Sequence, residues 1–168
     1  SPVEYYRYDR AAGGTLTHLF SGRPALEGKP LVPMWPQEIV SRDGLTLVSY
    51  LTLPAEADTN KDGKADKAVP LVLTVHGGPW ARDSYGFNSR AQWLANRGYA
   101  SLSVNFRGST GFGKRFTNAG DGEWAAKMHD DLIDAVQWAV KSGITTPDKV
   151  AIMGGSYGGY ATLVGLTF

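Results

Sequence analysis

The sequence predicts an α/β fold with a three-layer, mostly parallel sheet, and the main evidence is a set of three apolar runs. They occupy residues 71–75, 99–104 and 150–153. None of them alternates apolar with polar side chains as a half-exposed strand would, and such runs are typical of parallel strands covered by helices on both faces. The helical stretches between the runs complete the α/β pattern.

An antiparallel hairpin is expected to lead into this sheet. Two strand-like segments, 38–41 and 45–53, flank Arg42-Asp43-Gly44. Asp-Gly supplies the positive φ that a tight hairpin turn requires.

Two helices are expected between the parallel strands, a short one over 89–97 and a longer one over 121–142. In the longer segment, apolar side chains recur every three or four residues, which places them on one helix face. They are Trp124, Met128, Leu132, Val136 and Ala139. Asp121 is suited to cap the start of this helix, and Gly143 to end it.

The first 35 residues are interpreted as a separate unit. Residues 3–20 alternate aromatic and polar side chains around Ala11-Ala12-Gly13-Gly14, which predicts a hairpin. The following segment, 22–36, is rich in proline and glycine and is typical of a linker. We therefore expect two units, 1–35 and 36–168.

The amino-acid composition argues against several classes of function. The 168 residues are 42% hydrophobic and 20% charged, as in a soluble globular protein. A net charge of +1 without a basic block argues against a nucleic-acid partner, and the absence of an apolar run of about eighteen residues argues against a membrane span. With no cysteine, disulfides and thiolate metal sites are excluded. The compartment (cytoplasmic, periplasmic or secreted) and the oligomeric state stay open.

The segment 152–160, Ile-Met-Gly-Gly-Ser-Tyr-Gly-Gly-Tyr, carries the clearest chemical signal. A serine hydroxyl is a poor nucleophile unless a base removes its proton and donors hold the oxyanion that forms. A sharp turn from a buried strand into a helix presents the serine clear of the sheet, and glycines two positions to either side relieve the crowding. Ser156 is therefore predicted to be a nucleophile; the alternative is a glycine-rich turn with an idle serine.

A second motif, His76-Gly77-Gly78-Pro79, ends the first parallel strand. The carboxyl ends of parallel strands form the crevice of α/β folds, and a Gly-Gly turn there exposes backbone N–H groups. The proposed oxyanion hole consists of the N–H groups of Tyr157 and Gly78. We expect His76 to hold this turn in shape rather than to act as the base.

Three segments in this order resemble the catalytic domain of the prolyl oligopeptidase family of serine peptidases, in particular its acylaminoacyl-peptidase and dipeptidyl-peptidase-like branch. They are 76–79 (His-Gly-Gly-Pro), 105–113 (Asn-Phe-Arg-Gly-Ser-Thr-Gly-Phe-Gly) and 154–160 (Gly-Gly-Ser-Tyr-Gly-Gly-Tyr). The resemblance implies that 36–168 are the N-terminal part of an α/β-hydrolase domain and that 1–35 end a β-propeller. It also implies a peptide substrate, an acyl-enzyme on Ser156 and a triad in the order Ser, Asp, His.

The triad is incomplete in this sequence. Only twelve residues follow Ser156, without Asp, Glu or His, and all three histidines precede it. The chain is therefore expected to be part of a longer protein and nearly inactive alone. Two alternatives are a carboxylesterase of the same fold and an interaction module without catalysis; the propeller-like strands disfavour the first and the intact Ser156 the second.

Further segments have two interpretations each. Arg107 could bind substrate, or it could form an ion pair with Asp130 or Asp131; we favour the ion pair.

The loop 58–66 follows part of a calcium-loop pattern, but the twelfth position of that pattern, which needs an acidic residue, is Val69. No cofactor is therefore expected, and calcium is the less favoured alternative.

Five aromatic residues could line a substrate pocket, or they could simply pack against neighbouring elements. They are Trp80, Tyr85, Phe87, Phe112 and Tyr157.

Overall fold

A two-stranded hairpin and a five-stranded sheet organise the chain, whose computed structural model describes residues 1–11 and 13–167. Strands β1 (Glu4–Asp9) and β2 (Thr15–Ser21) pair antiparallel, which confirms the hairpin predicted over 3–20. Within the predicted turn, Ala12 lies outside the described residues. The proposed boundary between units near residue 35 stays a prediction.

The five-stranded sheet has the order β3-β4-β6-β5-β7. Its strands are β3 (Trp35–Val40), β4 (Thr46–Thr52), β5 (Leu71–Val75), β6 (Ala100–Val104) and β7 (Val150–Gly154). The hairpin β3-β4 enters the sheet antiparallel and β4 pairs antiparallel with β6. Strand β5 pairs parallel with β6 and with β7. The α/β architecture expected from the three apolar runs is therefore present.

Helices cover the two faces of this sheet. They are α1 (Ser89–Ala95), α2 (Lys114–Asn118), α3 (Lys127–Lys141) and α4 (Tyr157–Val164). On β5, Leu71 and Leu73 belong to the core that contains Met128 and Leu132 of α3. Thr74 points to the opposite face, because it lines a small cavity together with residues of α1. None of the helices in the described part of the chain has the length and apolar character needed to span a membrane.

The predicted start of the short helix and the predicted end of the long helix agree with the structure, whereas the short helix, predicted over 89–97, already ends at Ala95. Helix α1 begins after Asn88, whose side chain accepts hydrogen bonds from the N–H groups of Arg90 and Ala91. Helix α3 ends at Lys141, and Gly143 follows with a φ of 73°, as a helix-terminating glycine does.

The predicted start of the long helix is wrong. The segment 121–142 was expected to be helical throughout, but α3 begins only at Lys127, so Asp121 does not cap it. Gly122 and Ala125 have φ values of 74° and 53°, which a right-handed helix does not accommodate. Five of the six residues before α3 lie in turns instead.

Strand β7 is also less buried than its apolar sequence predicts. Ala151 is exposed, and Val150, Ile152 and Met153 are half-buried. Strand β7 lies at the end of the sheet order and pairs with β5 alone among the described strands, so it has fewer neighbours to cover it.

Candidate active site

Ser156 stands at the sharp turn between β7 and α4. It has a φ of 55° and a ψ of −121°, a conformation that a non-glycine residue rarely adopts and that costs on the order of 1–3 kcal/mol. Its side chain is exposed. The backbone conformation therefore presents the Ser156 hydroxyl at the end of the strand, as the sequence predicted.

Two of the four neighbouring glycines are required by close packing. A Cβ on Gly154 would lie 2.5 Å from the carbonyl carbon of Gly158, and a Cβ on Gly158 would collide with the carbonyl oxygen of Val75. Gly155, in contrast, has open space where a side chain would go. The Gly-x-Ser-x-Gly pattern is thus a packing requirement at its first and last positions.

The turn after β5 lies directly against Ser156. A Cβ on Gly77 would lie 3.3 Å from the Cβ of Ser156 and 3.3 Å from the carbonyl oxygen of Gly155. Gly78 has a φ of 116°, and a Cβ there would lie 2.5 Å from the backbone nitrogen of Trp80. The structure therefore brings the two predicted halves of the site together, while the role of Gly78 as an oxyanion donor stays a prediction.

His76 holds this turn, as the sequence predicted. Its Nδ1 lies 2.7 Å from the carbonyl oxygen of Gly77, and its Nε2 lies 2.9 Å from the Oγ of Ser109. The imidazole stacks on Phe106 with a centroid distance of 4.5 Å. The hydrogen-bond partners of the two ring nitrogens are therefore Gly77 and Ser109, and neither of them is Ser156.

Tyr157 is the first residue of α4 and is only 4% exposed. The first N–H groups of a helix have no partner within it, so the N–H of Tyr157 is available to an oxyanion beside Ser156. The phenol packs among Phe106, Trp124 and Tyr160. Burial, reinforced by Tyr160 and Asp131, raises the pKa of the Tyr157 phenol to about 12, so it stays neutral at ordinary pH.

Arg107 pairs with an acidic residue, as we favoured. Its backbone N–H donates to Asp131 over 2.8 Å, and its Nε and Nη2 donate to the same carboxylate over 2.9 and 2.8 Å. Nη1 and Nη2 also donate to Asp43 in the β3-β4 turn. Hydrogen bonds to Asp131 are the main cause that raises the pKa of Arg107. These contacts fix the loop after β6 and leave little of Arg107 for a substrate.

Asp83 is a further acidic group beside the turn. Its backbone N–H donates to the Oδ1 of Asn105, and its Oδ2 is buried without a partner among the described residues. Burial raises the pKa of Asp83, although the charges of His76 and Arg90 oppose this.

The aromatic residues considered for a substrate pocket lie in several different surroundings. Trp80 and Tyr85 are exposed, and the ring centroids of Tyr85 and Tyr50 lie 6.4 Å apart. Phe87 lines a groove of about 690 Å³ beside α1, under Arg23. Phe112 packs under Arg82 and against Phe116.

The acidic side chains of the loop 58–66 accept hydrogen bonds from the loop itself and, at Asp58, from Trp35. Asp58 accepts hydrogen bonds from the indole of Trp35 and the N–H of Asp62, both over 2.9 Å. Asp66 accepts from the backbone and hydroxyl of Thr59, which lowers its pKa. The described residues contain no group of three potential metal-ligating side chains. The expectation of no cofactor, with calcium at this loop as the less favoured alternative, stays a prediction.

Three contributors to the site were not predicted from the sequence. Ser109 contacts His76 from a loop 33 residues away, Trp124 packs on Tyr157, and Asp43 pairs with Arg107. Each of these contacts joins two segments that are distant in the sequence, so it depends on which segments meet in the folded chain. Only Ser109 had a sequence signal, because it lies within the segment 105–113.

Comparisons with known proteins show what this chain is similar to. The model of the prolyl oligopeptidase family matches residues 85–168. Dipeptidyl aminopeptidase BIII of Pseudoxanthomonas mexicana is 80% identical over 168 residues, which are 100% of this chain and 24% of that protein. Dipeptidyl peptidase family member 6 of Caenorhabditis elegans is 48% identical over 182 residues, covering 99% of this chain and 24% of that protein.

A solved structure shows the same fold. The puromycin-hydrolyzing peptidase of Mycobacterium tuberculosis superposes with a TM-score of 0.79 at 29% identity, over 99% of this chain and 25% of that one. This chain thus spans about a quarter of the length of the relatives it matches. The family match and the shared fold show that the chain belongs to the prolyl oligopeptidase family.

Proposed function

We propose that the whole protein is a serine peptidase that hydrolyses oligopeptides through an acyl-enzyme on Ser156. The observation that carries this proposal is the strained, exposed Ser156 with the Gly77-Gly78 turn packed against it. That arrangement supplies a nucleophile and two backbone donors within one crevice.

The chemistry assigned to these residues is acyl transfer. The Oγ of Ser156 attacks the peptide carbonyl carbon, its proton passes to a general base, and the N–H groups of Tyr157 and Gly78 donate to the oxyanion. The amine then leaves with a proton, and water hydrolyses the acyl-enzyme. Amide hydrolysis needs no cofactor in this scheme.

The histidines of this chain are unsuited to serve as the base. His18 lies on the hairpin and bonds to Glu4 over 2.8 Å, and both nitrogens of His76 are engaged. His129 is buried, and its Cε1 would lie 3.8 Å from a Cβ on Gly165 at the end of α4. We therefore place the base and its acidic partner in the remainder of the whole protein.

The relatives support a dipeptidyl peptidase activity for the whole protein. The two relatives reported above are named dipeptidyl aminopeptidase BIII and dipeptidyl peptidase family member 6, and the first of them is 80% identical to this chain. We accordingly propose peptides with a free amino terminus as the substrate class, cleaved after the second residue.

Hydrolysis of a dipeptidyl 4-nitroanilide by the whole protein tests this function. The expected result is turnover that a blocked amino terminus abolishes and that Ser156→Ala lowers at least about 10³-fold. A 4-nitrophenyl ester serves as the second substrate. Efficient hydrolysis of the ester without any cleavage of the anilide would favour the carboxylesterase alternative instead.

A further inference from the structure

Arg82 lies in the loop that follows β5, and it is exposed. The residues on either side of it are tied to the segment after β6. The N–H of Thr110 donates to the carbonyl oxygen of Ala81 over 2.9 Å, and the N–H of Asp83 donates to Oδ1 of Asn105 over 2.8 Å. Because Asn105 comes directly after β6, these bonds hold Arg82 near the carboxyl end of that strand.

The carboxyl end of β6 lies two strand spacings from the nucleophile. Strand β5 stands between β6 and β7, all three run parallel, and β7 ends at Gly154, just before Ser156. Neighbouring strands are about 4.8 Å apart, so the ends of β6 and β7 are about 10 Å apart. An extended peptide covers about 3.3–3.6 Å per residue, so about three residues bridge this distance. A substrate group that far from the scissile bond is within reach of Arg82.

Two loops hold the guanidinium of Arg82 in place. Its Cζ lies 4.7 Å from the ring centroid of Phe112, and a Cβ on Gly111 would collide with its Nη1. Its Nε donates to the carbonyl oxygen of Asp83 over 3.3 Å. Within residues 1–11 and 13–167, no acidic side chain forms an ion pair with Arg82. The Nη1 and Nη2 groups are therefore available to an acidic ligand.

A guanidinium held in this way is suited to bind a carboxylate. Its planar fork of N–H donors matches the two carboxylate oxygens, and a fork that is already oriented by an aromatic ring loses less freedom on binding. The neighbouring Asp83 does not compete for it, because Asp83 lines a cavity of about 40 Å³ together with Arg90 of α1, and its Oδ2 is buried.

We propose that Arg82 binds a carboxylate of the peptide substrate and so favours peptides that carry one within about three residues of the scissile bond. This carboxylate comes from one of two sources, the carboxyl terminus of a short peptide or the side chain of an aspartate or glutamate. The inference rests on the proposed peptidase function and narrows its substrate class. Arg82 determines specificity in this account and takes no part in bond cleavage.

The experiment measures kcat/KM of the whole protein for the dipeptidyl 4-nitroanilide, which has no carboxylate, and for three tetrapeptides with a free amino terminus. The first tetrapeptide has a free carboxyl terminus, the second is its amide, and the third is an amide with glutamate at the fourth position. Arg82→Met should lower kcat/KM by about tenfold or more, mainly through KM, for the first or the third peptide. The plain amide and the anilide should stay within about twofold of the wild type.

The peptide that loses kcat/KM identifies the source of the carboxylate. A loss on the first peptide alone assigns the carboxyl terminus, a loss on the third alone assigns the side chain, and a loss on both shows that Arg82 accepts either. Arg82→Lys, which keeps the charge but not the fork, should recover part of the loss. If Arg82→Met does not fold, Arg82→Gln replaces it with the same expected selectivity.

Arg97→Met is the matched control. Arg97 is also exposed and also lies over an aromatic ring, with its Cζ 4.6 Å from the ring centroid of Trp93. It precedes β6, which begins at Ala100, so it lies at the amino end of that strand, on the opposite edge of the sheet from Ser156. Its kcat/KM should match the wild type for all four substrates.

Two results would overturn the inference while the proposed function stands. An Arg82→Met variant that equals the wild type on both carboxylate-bearing peptides removes the role altogether. An equal loss on all four substrates shows that Arg82 only holds its loop. Wild-type protein that does not hydrolyse even the anilide in a Ser156-dependent reaction refutes the proposed function first, and this inference with it.

Discussion

At the scale of one residue, the burial of Arg107 favours a structural ion pair over substrate binding. The residue is 4% exposed, and its hydrogen bonds go to Asp131, which is fully buried, and to Asp43. Hydrogen bonds from Arg107 are the main cause that holds the pKa of the Asp43 carboxyl well below its usual range. The same guanidinium compensates the buried charge of Asp131.

Removal of Arg107 should therefore destabilise the fold. Arg107→Met leaves Asp131 buried and unpaired, which typically costs about 3–5 kcal/mol. Arg42→Met is the comparison, because Arg42 is exposed and water screens its ion pairs with Asp130 and Asp134, so its removal should cost much less stability. Urea-unfolding midpoints of the two variants measure the difference. Equal, small shifts would show that Arg107 is not needed for stability.

His129 should make the fold sensitive to acid. It is 7% exposed, its ring nitrogens have no partner among the described residues, and burial lowers its pKa although Asp130 opposes the shift. An unfolded histidine takes up a proton near pH 6.5, whereas the folded one resists until a lower pH. The contribution of neutral His129 to stability is therefore present above about pH 6.5 and is lost as the pH falls toward its folded pKa.

The urea-unfolding midpoint at pH 7.5 and at pH 5.5 tests the role of His129. The wild-type midpoint should fall on acidification, and His129→Leu should reduce that fall. A variant with the same pH dependence as the wild type would assign the effect to other groups.

At the scale of elements, the turn from β7 into α4 depends on two close backbone approaches. Gly158→Ala places a methyl group against the carbonyl oxygen of Val75, so α4 must move and Ser156 with it. Displacements of this kind cost about 10²-fold in rate. Gly155→Ala is the matched control, because nothing lies within 4 Å of the added Cβ. The measurement is kcat/KM of the whole protein; an active Gly158→Ala variant would show that the turn tolerates the shift.

The sequence predicted those elements whose signals are local. The Asp43-Gly44 turn and the Gly143 helix end both have the residue types that their conformations require. The start of α3 was missed because Trp124 continues the helical spacing while Gly122 and Ala125 break the backbone. Periodicity reports side-chain spacing and does not report such a break.

At the scale of the whole molecule, the parallel sheet explains why two distant motifs meet. The ends of β5 and β7 are neighbours, with Val75 opposite Gly154, so the Gly77 turn and Ser156 emerge side by side. This juxtaposition followed from the α/β pattern. The supporting contacts of Ser109 and Asp43 did not, because they arise between loops that no local signal pairs.

The hairpin β1-β2 exposes several large apolar side chains. They are Tyr5, Tyr6, Tyr8, Leu16, Leu19 and Phe20. An isolated two-stranded sheet is marginally stable in water. These side chains fit the expectation that residues 1–35 adjoin further strands in the whole protein. The relative that is 80% identical is about four times as long as this chain.

The central claim, that Ser156 is the nucleophile, is tested most directly by labelling the whole protein with a fluorophosphonate and mapping the adduct by mass spectrometry. The account predicts one phosphonyl group per protein, on the peptide that contains Ser156, and no adduct in Ser156→Ala. A folded wild-type protein that stays unlabelled, or that carries the adduct on a different serine, would contradict it.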